Sequence, residues 1–174
     1  RLALYVDTIF FFFFSYPGLA SILAAGLYTI QSYCDFSGYS DIAIGVAKLF
    51  DIDLMTNFKS PYFSTSIKEF WRRWHISLST WFRDYVYIPL GGNRRGKARE
   101  CFNLFIVFLL TGIWHGANFT FLLWGLMYAV LLVMERLFLG KWLHKNPIKI
   151  LNWLYTMFFV IVGWVLFRSA NCVE

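Results

Sequence analysis

Between Ile148 and Phe167 the only charge is Lys149, at one edge, and the stretch has the length that an apolar helix needs to cross a bilayer. Phe119 to Leu139 repeats the pattern, with Glu135 and Arg136 near one end, where long side chains can reach the interface. Leu2 to Tyr16, interrupted by Asp7, and Leu19 to Cys34, apolar until Gln31, read as spans or parts of spans, with Pro17 and Gly18 marking the break. Phe102 to Trp114 is too short to cross alone and reads as a re-entrant or half-membrane helix. Thr65 to Asp84 has a different period: Trp71, His75, Leu78 and Phe82 share one helical face. This predicts an amphipathic helix in the interface or tucked beneath the spans. Ser66 and Glu69 form a capping box at its start, and Glu69 is spaced to pair with Arg73. The pattern predicts an all-α, polytopic membrane bundle with re-entrant and interfacial helices.

Composition agrees with the bilayer as solvent: 59% of residues are hydrophobic, 15% charged, and the mean hydropathy is +0.55. With no initiator Met and an apolar start at Leu2, the chain reads as an excerpt of something longer, and no removed signal peptide is expected. The formal charge of +6 does not point to nucleic acid, because the basic residues sit between apolar spans, where they set orientation and meet anionic lipid. Nine of the 16 fall between Lys59 and Arg99, which places that stretch in the cytoplasm. A helix rising from Phe102 at 1.5 Å per residue carries His115 roughly 20 Å up, past the membrane midplane. The chain then returns to a second basic loop at Lys141, Lys145 and Lys149 and goes out again.

His115, in Thr111-Gly-Ile-Trp-His-Gly-Ala-Asn118, tops an apolar segment between Gly112 and Gly116, two positions that allow close backbone approach. An ionisable residue inside a membrane is either functional or hydrogen-bonded between helices, and imidazole suits proton transfer near neutral pH. No HExxH motif or Cys/His cluster supports a metal site, and Cys34, Cys101 and Cys172 are too few and scattered for a disulfide framework. His144 reads as a solvated surface residue. Gly91 to Ala98 misses the phosphate-binding GxxxxGK[ST] pattern at Ala98 and is preceded by Pro89, so a cytoplasmic turn presenting Arg94, Arg95, Lys97 and Arg99 to phosphates is the better reading. Asp41 is placed to cap a helix starting near Ile42, whereas Asp35 suits a polar passage or an arginine partner.

Five segments, Ser32-Tyr-Cys-Asp-Phe-Ser-Gly-Tyr-Ser-Asp41, Asn57-Phe-Lys-Ser-Pro-Tyr-Phe63, Glu69-Phe-Trp-Arg-Arg-Trp-His-Ile-Ser-Leu-Ser79, Tyr87-Ile-Pro-Leu-Gly-Gly-Asn93 and Gly112-Ile-Trp-His-Gly-Ala-Asn118, resemble in sequence and order the membrane-bound O-acyltransferase family. The branch resembled is the bacterial alginate O-acetyltransferase one. The resemblance implies that residues 1–174 are the central-to-C-terminal part of one membrane domain in a bacterial inner membrane. It implies acyl transfer from a cytoplasmic thioester resembling acetyl-CoA, with no tightly bound cofactor, toward hydroxyls of an extracytoplasmic polysaccharide, with a periplasmic or extracellular transferase as partner. It carries over His115 as the catalytic histidine, acting as general base or, alternatively, as a nucleophile in an acyl-histidine relay, and His75 as the second characteristic histidine, and Arg72, Arg73, Arg94 and Arg95 become candidate contacts for donor phosphates. Two rivals stay open: D-alanyl transfer to teichoic acid, and a transporter without catalysis.

Overall fold

The computed structural model describes residues 2–12 and 18–169. Among them every regular element is helical: α1 (Leu2–Phe11), α2 (Leu19–Leu49), α3 (Ile67–Arg73), α4 (Ile76–Phe82), α5 (Lys97–His115), α6 (Phe119–Met134), α7 (Gly140–Lys145) and α8 (Lys149–Ser169). A π turn, Glu135–Leu139, joins α6 to α7, so that Phe119–Lys145 is one helical run. That run and α8 are long and apolar enough to cross a membrane. Tyr16, Pro17 and Cys172, which figured in the sequence reading, lie outside the described residues.

Three predicted boundaries are corrected. The span expected to end at Cys34 continues to Leu49, so Asp41 lies inside a helix instead of capping one. Its polar residues do not stop it because they bond within it: the Thr29 and Ser32 hydroxyls donate to the carbonyls of Ala25 (2.8 Å) and Tyr28 (2.9 Å). The helix expected over Phe102–Trp114 begins at Lys97, which at 1.5 Å per residue makes it about 28 Å long. The single helix expected over Thr65–Asp84 is broken at Trp74, which is extended, and His75, whose φ of 45° is left-handed.

The break lets α3 enter the bundle. Ile67 and Phe70 are fully buried, and Trp71 and Trp74 nearly so, among Phe108 of α5, Trp124 and Tyr128 of α6 and Trp164 of α8. In a bilayer such an insertion is stabilised by close packing of these side chains more than by their removal from water. The N-terminus of α3 is fixed by a carboxylate from a distant element: Glu135 accepts from the backbone N–H of Ile67 (2.7 Å) and Lys68 (3.0 Å). A residue expected at the membrane interface is therefore buried and ties α3 to the α6 run. At the other end of the bundle Arg168 of α8 pairs with Asp7 of α1 and lies over the Tyr28 ring, so the charge that interrupts the first apolar run has an ionic partner.

Helices α5 and α6 approach closely enough for glycine to be required on both sides. A Cβ at Gly112 would stand 2.6 Å from the Phe121 carbonyl oxygen, and one at Gly125 would stand 2.5 Å from that of Phe108. The chain then turns after His115 at Gly116, whose φ of 151° suits glycine, and Asn118 caps α6 by accepting from the Thr120 N–H (3.2 Å).

Candidate active site

His75 and His115, forty residues apart in sequence, line one cavity of about 490 Å³. The α3–α4 break supplies His75, and the last residue of α5 is His115. Aromatic rings enclose His115: Trp114, Trp124 and Phe167 stand edge-on at centroid distances of 4.8, 5.1 and 5.0 Å. His75 has Phe36 edge-on at 4.7 Å, and its Nδ1 lies 3.4 Å from both Asn57 Oδ1 and Ser77 Oγ. Gln31, Asp35 and Arg168 add polar groups to the wall. Asp35 thus lines this cavity.

A second cavity, of about 760 Å³, is lined by Lys68, Arg72, Arg136, Lys141 and Lys149 together with Glu69, Glu100 and Glu135. Four of its charges are engaged: Arg136 pairs with Glu100 at 2.6 Å, Glu135 caps α3, and Glu69 holds Arg73. The remaining ammonium and guanidinium groups give it a basic character suited to phosphate. His144, expected to be merely solvated, is exposed but lies on this wall.

A third, largely apolar cavity of about 220 Å³ has walls in common with both. It shares Lys68, Arg72 and Tyr87 with the basic cavity, and Trp71 and Leu78 with the histidine cavity. Helix α8 touches the far ends of the set, starting at Lys149 on the basic cavity and placing Arg168 on the histidine cavity, while on α3 the two walls adjoin at Trp71 and Arg72. The 21 residues of α8 rise about 30 Å, the thickness of a hydrocarbon core. Chemically, the basic cavity suits an anionic group and the other cavity presents two imidazoles to whatever enters it.

Of the arginines expected at phosphates, Arg72 lines the basic cavity. Arg73 turns to Glu69 (2.7 Å), as its spacing predicted. Arg94 and Arg95 are exposed on the turn after Gly91, which is held to α5 by Asn103, whose amide donates to the Gly92 carbonyl (2.9 Å). Sequence reasoning missed Asn57, Ser77 and Glu135 as supports. Asn57 and Ser77 did lie inside the quoted motifs, the one available signal, but the role of each depends on a contact that only the fold creates.

The sequence profile of the membrane-bound O-acyltransferase family matches residues 4–173. The chain is 54% identical over 151 residues to the probable alginate O-acetylase AlgI of Pseudomonas putida, covering 86% of this chain and 30% of that protein. It is 47% identical over 146 residues to the peptidoglycan O-acetyltransferase of Helicobacter pylori, covering 83% and 28%. With the teichoic acid D-alanyltransferase of Bacillus subtilis the identity is 35% over 164 residues, covering 87% and 42%. The chain thus spans about 30% of the length of the first two relatives. A profile match across nearly the whole chain, membrane-length helices, and two motif histidines brought to one cavity lead to the same assignment: the chain belongs to the membrane-bound O-acyltransferase (MBOAT) family.

Proposed function

We propose that this chain forms the catalytic part of a multi-pass enzyme of the bacterial inner membrane. The enzyme moves an acetyl group from a cytoplasmic thioester to hydroxyls of an extracytoplasmic polysaccharide. The observation that supports the reading is the pairing of a basic cavity with a histidine-lined one, touched by the two ends of α8, a helix about one membrane thickness long. Lys68 and Arg72 at the first cavity hold the donor's phosphates, and Arg73, Arg94 and Arg95 add positive potential on the same face. The donor's acyl end passes Trp71 and Leu78 to reach the histidines.

There His115 acts as general base. It takes the proton of the acceptor hydroxyl as that oxygen attacks the acyl carbon, the new C–O bond forms, the C–S bond breaks, and the proton passes to the departing thiolate. General-base help of this kind is worth roughly 10²–10⁴-fold. Among the described residues the imidazole of His115 stands against aromatic rings; in this reading its nitrogens serve the substrate, while His75 lines the same cavity to position the donor or share the proton. The reaction needs no bound cofactor. Greater identity to the two O-acetylating relatives than to the D-alanyltransferase favours acetyl over D-alanyl, and a periplasmic transferase that hands the group to the final polymer is the expected partner.

The test uses the full-length protein in vesicles loaded with radiolabelled acetyl thioester and compares wild type with His115→Gln. Label reaching external polysaccharide or partner protein in wild type, and lost in the variant at equal protein level, is expected. Equal transfer by both would move the chemistry away from His115 and favour a transporter, which needs no base there.

A further inference from the structure

The groups around His75 bear on which of its nitrogens carries the proton. Asn57 Oδ1 receives the Ser77 backbone N–H at 3.0 Å and the Ser77 hydroxyl at 2.6 Å. A backbone N–H can only donate, so the Asn57 amide is oriented with its oxygen toward α4, and its Nδ2 donates toward Ser40 Oγ at 3.4 Å. The Ser77 proton is committed to Asn57, so Ser77 Oγ meets His75 with lone pairs. Nδ1 of His75 therefore faces two acceptors, Asn57 Oδ1 and Ser77 Oγ, each at 3.4 Å. The backbone around them is fixed as well: the Asn57 carbonyl accepts from the Ile76 N–H (3.0 Å), and the Lys59 N–H donates to the Arg73 carbonyl (3.0 Å). These bonds clasp the left-handed residue His75 from both sides, and Phe36 closes on its ring. A non-glycine residue at φ 45° is strained and persists only where its surroundings over-determine it.

We infer that Asn57 and Ser77 are positioning residues that lock His75 in the Nδ1–H tautomer, so that the nitrogen offered to the cavity is a bare Nε2, a proton acceptor. This rests on the functional reading above and deepens it. A neutral His75 accepts a hydrogen bond or a proton from a group in the cavity, and donates there only after it has been protonated. When it becomes imidazolium, Nδ1–H keeps the same two acceptors, so neither partner has to reorient during turnover. An asparagine orienting a histidine plays the part that a carboxylate or amide plays in nucleophile–histidine triads.

The experiment reads the tautomer directly, by the nitrogen chemical shifts and two-bond nitrogen–proton couplings of full-length protein labelled at histidine nitrogen, with the His75 signals assigned by their loss in His75→Gln. Wild type is expected to show a protonated Nδ1 and a bare Nε2. Ser77→Ala should bring in the other tautomer, whereas Asn57→Asp, which keeps an oxygen acceptor, should retain the original one. Asn57→Ala should lose about 10²-fold in kcat with KM unchanged; if that variant does not fold, the wild-type and Ser77→Ala spectra still decide. A wild-type His75 protonated at Nε2, or a Ser77→Ala spectrum identical to wild type, overturns the proposal. The spectrum requires no turnover, so its outcome is separate from that of the His115→Gln transfer assay.

Discussion

The contact between Gly112 of α5 and Gly125 of α6 is the closest approach behind His115, and filling it with one methyl group tests whether the site depends on that spacing. In Gly125→Ala the new Cβ would meet the Phe108 carbonyl oxygen at 2.5 Å and Gly112 Cα at 3.1 Å, where ordinary contact begins at 3.4 Å. Both obstacles are backbone and cannot swing aside. The helices must separate by the difference between 2.5 and 3.4 Å, about 0.9 Å. Overpacking of this kind costs about 1–3 kcal/mol, offset in part by the roughly 0.5–1 kcal/mol that Ala gains over Gly inside a helix, so the net loss of stability is small. The functional loss should exceed it. His115 stands three residues beyond Gly112 on the same helix, and a misplacement of about 1 Å can lower turnover on the order of 10²-fold.

The assay is acetyl transfer by full-length enzyme, with kcat and KM determined separately and thermal unfolding recorded alongside. Gly125→Ala and Gly112→Ala should both fold, lose a few degrees of thermal midpoint, and lose on the order of 10²-fold in kcat. Gly45→Ala is the control, since a Cβ there meets nothing within 4 Å; it should leave turnover unchanged and raise stability slightly. Turnover of Gly125→Ala within twofold of wild type would refute the claim that this close packing sets the position of His115.

Two further perturbations test how α3 is held. Glu135→Ala strips the carboxylate from the N–H groups of Ile67, which is buried, and Lys68, which is part-buried; the buried donor alone, at about 1–3 kcal/mol, should lower the thermal midpoint measurably, and Glu135→Gln, which keeps one acceptor oxygen, should cost less. Glu69 supplies the pH dependence. Burial pushes its carboxyl up, but the Thr65 N–H and hydroxyl and the Arg73 guanidinium outweigh that and hold it below the ordinary 4.5. A depressed native value means stability that is present above the unfolded value and lost as pH falls through the native one. Unfolding scans below about pH 4.5 should therefore show a steeper acid loss in wild type than in Glu69→Gln, and identical acid limbs would contradict the assignment.

What the sequence disclosed follows the range of the forces involved. The spans around Phe119 and Ile148 were legible because transfer into a bilayer sums over some twenty side chains and needs no knowledge of neighbours. The Ser66 cap and the Glu69–Arg73 pair were legible because partners three or four residues apart meet on any helix, and the structure has both. The break at His75 was invisible to the same rules, because Trp71, His75, Leu78 and Phe82 fit a continuous helical face. The helix ends there because Asn57, eighteen residues upstream, takes the Ile76 and Ser77 N–H groups for itself. The same local view set Glu135 at the interface, where a charge near the end of a span ordinarily goes, although its partners are amides 67 and 68 residues earlier in the chain. Both failures concern a polar group satisfied across the fold, and both lie where a short helix is inserted among long ones. In a membrane protein such an insertion is possible only if each freed backbone group finds a partner inside the protein. Asn57 and Glu135 are those partners, and by meeting that requirement they set His75 opposite His115.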